Sequence, residues 1–140
     1  MKVEQQVTSL ELSKKLKELG VKQESLFYWK TYRPDQFDKA PLPKIINFKE
    51  EPGFSENSLY SAFTVAELGE MFGKLQVFSG YAPRRLKQFS CKYFYGTTVI
   101  KQFEADTEAD ARAKMLIYLI ENALVESYVQ QQTLPEGHLR

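Results

Sequence analysis

Three features of this sequence predict an α+β fold: a mostly antiparallel sheet of four to five strands, with a long C-terminal helix and an N-terminal helix packed on it. Runs rich in aromatic and β-branched residues alternate with Gly- and Pro-containing stretches, as strands and their turns do. Two Thr-x-x-Glu signatures, "TSLE" at Thr8 and "TVAE" at Thr64, stand directly ahead of apolar residues at helical spacing. After Asp106, apolar side chains recur with a helical period over a longer stretch than elsewhere in the chain.

Taken in order, the first helix is expected over residues 9–19, with Thr8 as its cap and Glu11 returning the hydrogen bond. Leu12, Leu16 and Leu19 share one face, and Gly20 supplies the stop. "SLFYWKTY", residues 25–32, reads as a strand ended by Arg33-Pro34-Asp35. Pro34, Pro41, Pro43, Pro52 and Gly53 punctuate the next stretch, leaving "KIINFK", residues 44–49, as a short strand. A second helix follows over residues 65–72, capped by Thr64 and Glu67 and stopped near Gly73. "KLQVFS", residues 74–79, is a strand turned by residues 80–83. Residues 86–95 and 99–105 then make a hairpin closed around Gly96, Thr97 and Thr98. Asp106 or Thr107 caps the last helix, residues 108–125, where Glu108 and Asp110 suit the positive end of the helix dipole. Residues 1–125 form one domain, and residues 126–140, "ESYVQQQTLPEGHLR", lack periodicity and read as a flexible tail or arm.

Composition narrows the function classes. A chain of 140 residues that is 43% hydrophobic and 14% aromatic folds as one domain around a real core. The net charge of +1 gives no bulk field for a polyanion, so a nucleic-acid site has to be a local patch. The start "MKVEQQ" lacks the apolar core of a signal peptide, and the longest strongly apolar run, "MLIYLI", is far shorter than a membrane span. A cytoplasmic protein is the expectation. Cys91, the single cysteine, reads as a small buried side chain, and His138, the single histidine, sits near the C-terminus. That scarcity argues against Ser-His or Cys-His catalysis and against zinc. Gly69 and Gly73 match no phosphate-binding pattern. The acidic group Glu104, Asp106, Glu108 and Asp110 is explained by helix capping before metal binding or paired-carboxylate catalysis. No cofactor, no metal and no catalytic residue is expected.

Two candidate surfaces remain. On the last helix, Ala109, Ala113, Leu116, Ile117, Ile120 and Leu124 form the broad stripe expected to lie on the sheet. A second strip, Ala111, Met115, Tyr118 and Val125, then needs a cover: the first helix of the same chain, or a partner for which these four are the binding residues. The other surface is "YAPRRLKQFSCKYFYG", residues 81–96. Strand alternation points Lys87, Phe89, Cys91, Tyr93 and Tyr95 to the core side and Leu86, Gln88, Ser90, Lys92 and Phe94 to the wetter side. Arg84 and Arg85 precede it in the turn, so a nucleic-acid site would use Arg84, Arg85, Lys92 and Phe94.

"YSAFTVAELGEMF" (residues 60–72), "ADTEADARAKMLIYLIENALV" (105–125) and "TSLELSKKLKELGVKQESLFYW" (8–29) together resemble a group of small uncharacterised proteins encoded in phages and prophages of gut bacteria. The resemblance implies the order helix, aromatic strand, short helix, hairpin, long helix in a protein of the bacterial cytoplasm, and brings no functional residues with it. With the missing catalytic groups and the surplus apolar strip, it leads to the expectation of a non-catalytic protein that binds a host or phage protein, such as an inhibitor of CRISPR interference. The alternatives are a nucleic-acid or nucleotide-signal binder, and a virion or assembly component whose tail is exchanged between subunits of a homo-oligomer.

Overall fold

A computed structural model of the chain describes residues 2–32, 42–47, 59–82 and 87–125. It has the expected α+β class, in the order α1 (Val3–Gln6), α2 (Leu10–Glu18), β1 (Phe27–Lys30), β2 (Lys44–Ile46), β3 (Leu59–Ala62), α3 (Val65–Met71), β4 (Gln76–Tyr81), β5 (Phe89–Tyr95), β6 (Thr98–Ala105) and α4 (Glu108–Glu121). The strands do not join into the single sheet of four to five strands that the sequence suggests. They form two antiparallel three-stranded sheets, ordered β2-β1-β3 and β4-β5-β6. The extra strand is β3, "LYSA", which lies too close to the Thr64 capping box to stand out as a separate element in sequence. The proposed tail, residues 126–140, lies outside the described residues.

Local chemistry explains most element ends. At α3 the expected cap holds in full: Thr64 Oγ1 accepts from the Glu67 N–H at 3.2 Å, and Glu67 Oε1 accepts from the Thr64 N–H at 2.9 Å. At α2 the cap moves one residue. Ser9 Oγ accepts from the Leu12 N–H, while Thr8 is drawn into the core. The Thr8 N–H donates to the Phe63 carbonyl at 2.9 Å, and Thr8 Oγ1 accepts from the Phe63 N–H at 3.1 Å. The Thr8 carbonyl takes the Trp29 Nε1–H at 2.8 Å. A buried threonine that satisfies long-range backbone groups outweighs a local cap, which is worth only about 1 kcal/mol.

Helix α2 closes with Gly20 at φ 90°, where the Val21 N–H reaches back to the Leu16 carbonyl. The β5–β6 hairpin turns through Gly96-Thr97, with Gly96 at φ 64° and Tyr95 paired to Thr98. Glycine at the first turn position matches the twist of a two-residue hairpin. Helix α4 begins at Thr107, whose Oγ1 accepts from the Asp110 N–H at 3.2 Å. It stops at Glu121, four residues before the expected end, because Ala123 enters the left-handed region at φ 55°. The Leu124 N–H bonds the Leu119 carbonyl at 2.8 Å and the Ala123 N–H bonds the Ile120 carbonyl at 3.0 Å, which is the Schellman pattern.

The core is one cluster that runs from Leu16 and Val21 through Phe63, Leu68 and Phe72 to Cys91 and the whole length of α4. Six α4 residues, Ala109, Ala111, Ala113, Met115, Leu116 and Leu119, are fully buried. Polar contacts fix which way each side of the helix points. Glu108 and Arg112 reach Ser79 of β4, and Tyr118 lies against Phe103 of β6. Ala111 and Met115, between those positions on the helix, therefore face the central strand β5. The other flank is held to the N-terminal half by Asp110 on Ser9 and by Glu121 near Lys15, so Ala109, Ala113 and Leu116 face α2 and α3. This reverses the expected sides: the strip read as surplus is the one on the sheet, and the broad stripe packs on the two shorter helices.

Ala123 carries a side chain in a backbone conformation that costs an L-residue roughly 1–2 kcal/mol. Ala123→Gly is expected to raise stability by about 0.5–1 kcal/mol in urea titrations after its own entropy cost, and a loss of stability would refute the left-handed cap.

Candidate functional site

The strip Ala111, Met115, Tyr118 and Val125 does not offer a partner surface. Ala111 and Met115 are wholly enclosed beneath β5, Tyr118 is half-buried with its ring centroid 5.9 Å from that of Phe103, and Val125 is half-buried against the core beyond the helix end. The expectation fails because α4 is covered on both sides by its own chain.

Polar groups around α4 are likewise engaged in structure. Ser79 donates to Glu108 Oε2 at 2.6 Å and accepts from Arg112 Nε at 2.7 Å, and Arg112 Nη1 donates to the Val65 carbonyl at 2.9 Å. A Cβ at Gly69 would stand 2.5 Å from Arg112 Nη1, so the absent side chain lets the guanidinium reach α3. Cys91 lies opposite Ser79 in the β4–β5 register. Burial pushes its thiol up to about 12, with Arg112 opposing and Glu108 adding to the rise. The acidic group of residues 104–110 is dispersed: Glu104 bonds Gln102, Asp106 pairs with Lys87, Glu108 holds Ser79, and Asp110 holds Ser9. Among the described residues, no three His, Cys, Asp or Glu side chains group to hold a metal ion, and no helix is long and apolar enough to cross a membrane.

Among the described residues, one open surface is the face of the β4-β5-β6 sheet turned away from α4. Phe89, Cys91 and Tyr93 of β5 point to the core, as alternation predicts, whereas Lys87 and Tyr95 at the ends of the expected inward set are exposed, and Ser90, Lys92 and Phe94 point outward. The pairing lays out three rows across this outer face. Nearest the hairpin turn is the row Gln76, Phe94 and Val99, next comes Phe78, Lys92 and Gln102, and last Gly80, Ser90 and Glu104. The register shifts after Tyr93, so that Val99 and Ile100 together oppose the single Phe94. The bulge doubles the apolar side chains at that point. Phe78, Val99 and Ile100 are 63%, 43% and 47% exposed, and the rings of Phe78 and Phe94 meet edge to face at 5.8 Å.

The structure thus brings Lys92 and Phe94 together on one accessible face, while Arg84 and Arg85 lie outside the described residues. Phe78 joins them, and sequence reasoning missed it although the signal was present. In "KLQVFS" the alternation that turns Leu75 and Val77 inward turns Phe78 outward. Val99 and Ile100 carried no such signal, because the bulge follows from pairing. No family model matches the chain, and no curated protein or solved structure is found similar to it.

Two outcomes follow from the buried groups. Cys91 is expected to resist a disulfide reagent at pH 8 in the native protein and to react fully in urea, since both burial and the raised thiol value must first be relieved; rapid native labelling would contradict this. Burial raises the Asp110 carboxyl above its ordinary 3.8, against the lowering effects of Ser9 and Lys114. The folded state therefore binds more protons than the unfolded one just above pH 3.8, and stability falls as pH rises through that window. Asp110→Asn, which keeps an acceptor for Ser9, is expected to flatten that fall in urea titrations across pH 3–7 and to be no less stable than wild type at pH 7. An unchanged slope would remove Asp110 as its source.

Proposed function

We propose that this chain is a non-catalytic binding protein of phage type that occupies a surface of a bacterial or phage protein in the cytoplasm, and that it blunts a host defence system such as CRISPR interference. The observation that carries the binding reading is the outer face of the β4-β5-β6 sheet. One side of that sheet is sealed by α4, and the other carries the exposed Phe78, Val99 and Ile100 around the half-buried Phe94. A large exposed side chain is ordinary singly, but a cluster across three strands is the form an interaction surface takes. The non-catalytic part is supported by Cys91 and Ser79, the two best-placed nucleophile types near α4. The first is buried, and the second is fixed between Glu108 and Arg112. The phage and anti-defence part is supported by the resemblance carried by residues 8–29, 60–72 and 105–125.

A second reading, single-stranded nucleic-acid binding, draws on Lys92 sharing the outer face with Phe78, its cross-strand neighbour, and with Phe94, two residues along β5, since bases stack on rings while a nearby cation neutralises a phosphate. Glu104 on that face works against it.

Affinity capture of the tagged protein from host lysate, with and without nuclease, separates the two. A stoichiometric protein that survives nuclease is expected, and Phe78→Ser is expected to weaken its retention at least about tenfold, the scale of a truncated interface anchor. Retention that vanishes with nuclease, falls steeply with salt and drops in Arg84→Ala or Arg85→Ala would replace the leading reading with the second.

A further inference from the structure

The outer sheet face is unequal along its strands, and that inequality specifies what it can hold. The end near Gly96 is apolar, built from Phe94 with Val99 and Ile100, while Lys92 stands one row further on with Phe78 beside it. Lys92 is half-buried and makes no ion pair with any described residue. A cation partly withdrawn from water on a face that also carries Phe78 and Phe94 gains from an anion that arrives with its own apolar shield. The next row ends in Glu104, whose Oε2 accepts from Gln102 Nε2 at 3.3 Å. Among the described residues Lys92 is the one cation in the three rows, so the face suits one anionic group and not a chain of phosphates.

Space is also provided. Phe78, Lys92, Phe94 and Gly80 line a shallow depression of about 540 Å³ that is open on its outer side. A Cβ built at Gly80 meets nothing within 4 Å, so the missing side chain on the edge strand leaves the floor clear. The volume is in the range of ligand sites, while the openness fits a segment lying across the strands better than a small molecule engulfed between walls.

From these features we infer that the outer face of the β4-β5-β6 sheet docks a short peptide segment of a partner protein in which an apolar side chain is followed by a carboxylate. The apolar group covers Phe94, Val99 and Ile100, and the carboxylate pairs with Lys92. This assignment rests on the protein-binding reading above, and names the chemistry of the segment recognised.

The test is a titration of the full-length ¹⁵N-labelled protein followed by amide shifts, using three probes: acetyl-GLFDGG-amide, acetyl-GLFKGG-amide and the oligonucleotide dT6. The acidic peptide is expected to shift the amides of residues 76–80, 90–94 and 98–102 saturably, and to bind at least about fivefold tighter than the basic one, as a desolvated charge pair requires. Lys92→Glu is expected to reverse the preference between the two peptides. Gly80→Leu fills the depression and replaces a strand glycine, so it is expected to abolish the shifts while leaving stability equal or higher. Equal binding of both peptides, or shifts confined to another face, overturns the assignment. Tighter binding of dT6 than of the acidic peptide overturns it in favour of nucleic acid. If a nuclease-resistant protein is captured from lysate but its retention is unaffected by Gly80→Leu and Lys92→Glu, the protein-binding reading stands and this docking surface does not.

Discussion

Enclosure of α4 on two sides is the constraint from which the rest of the structure follows. A helix apolar over most of its circumference cannot rest on a sheet and turn its back to water, and here Ala109, Ala111 and Ala113 are buried on either side of Met115, Leu116 and Leu119. Each of the three large side chains is worth about 1.5–3 kcal/mol when fully buried, a large share of the marginal stability of a domain this size. Two covers are therefore needed. The β4-β5-β6 sheet supplies one, and α2 with α3 supplies the other. That requirement also explains why six strands split into two sheets: the helix lies between the halves.

Polar contacts then set the rotation of α4. Asp110 receives the Ser9 N–H at 2.8 Å, Arg112 spans from Ser79 to the Val65 carbonyl, and Lys114 donates to the Glu104 carbonyl at 2.8 Å. Three consecutive even-numbered positions thus grip the cap of α2, β4, α3 and β6. A rotated helix would leave a half-buried charge or a backbone group unpaired, which costs more than small changes in apolar contact return. Residue types that would suggest chemistry in isolation, such as a serine beside a carboxylate and an arginine, are accounted for by this positioning.

Legibility in the sequence follows the range of the forces involved. Local signals read well: the Thr64 capping box, the Gly20 stop, the Gly96 turn and the inward set Phe89, Cys91 and Tyr93 all depend on neighbours within a few residues. Thr8 shows where this fails. Its sequence context is that of a cap, but its hydroxyl serves Phe63, 55 residues away. The sides of α4 were misread for the same reason, since two apolar stripes on one helix carry no mark of which meets the sheet. Of the candidate surface, Lys92 and Phe94 were legible from alternation and Phe78 could have been. The contribution of Val99 and Ile100 depends on a register shift that only pairing creates. Ala123 in a left-handed cap broke the expected helix end because nothing about alanine announces that conformation.

The hydrogen bond from Ser9 to Asp110 joins positions 101 residues apart. During synthesis α2 leaves the ribosome long before the helix it must lean on. At about 5–20 residues per second, the gap is roughly 5–20 s. Leu16 and Val21 spend most of that interval, and Phe63 about its second half, without the cover of α4, and the hairpin β5–β6 is made before that helix can seal its inner side. Among the described elements α4 is the last to be made, so a ribosome stalled before residue 108 would hold a chain that has all the described strands and lacks the helix that gathers them.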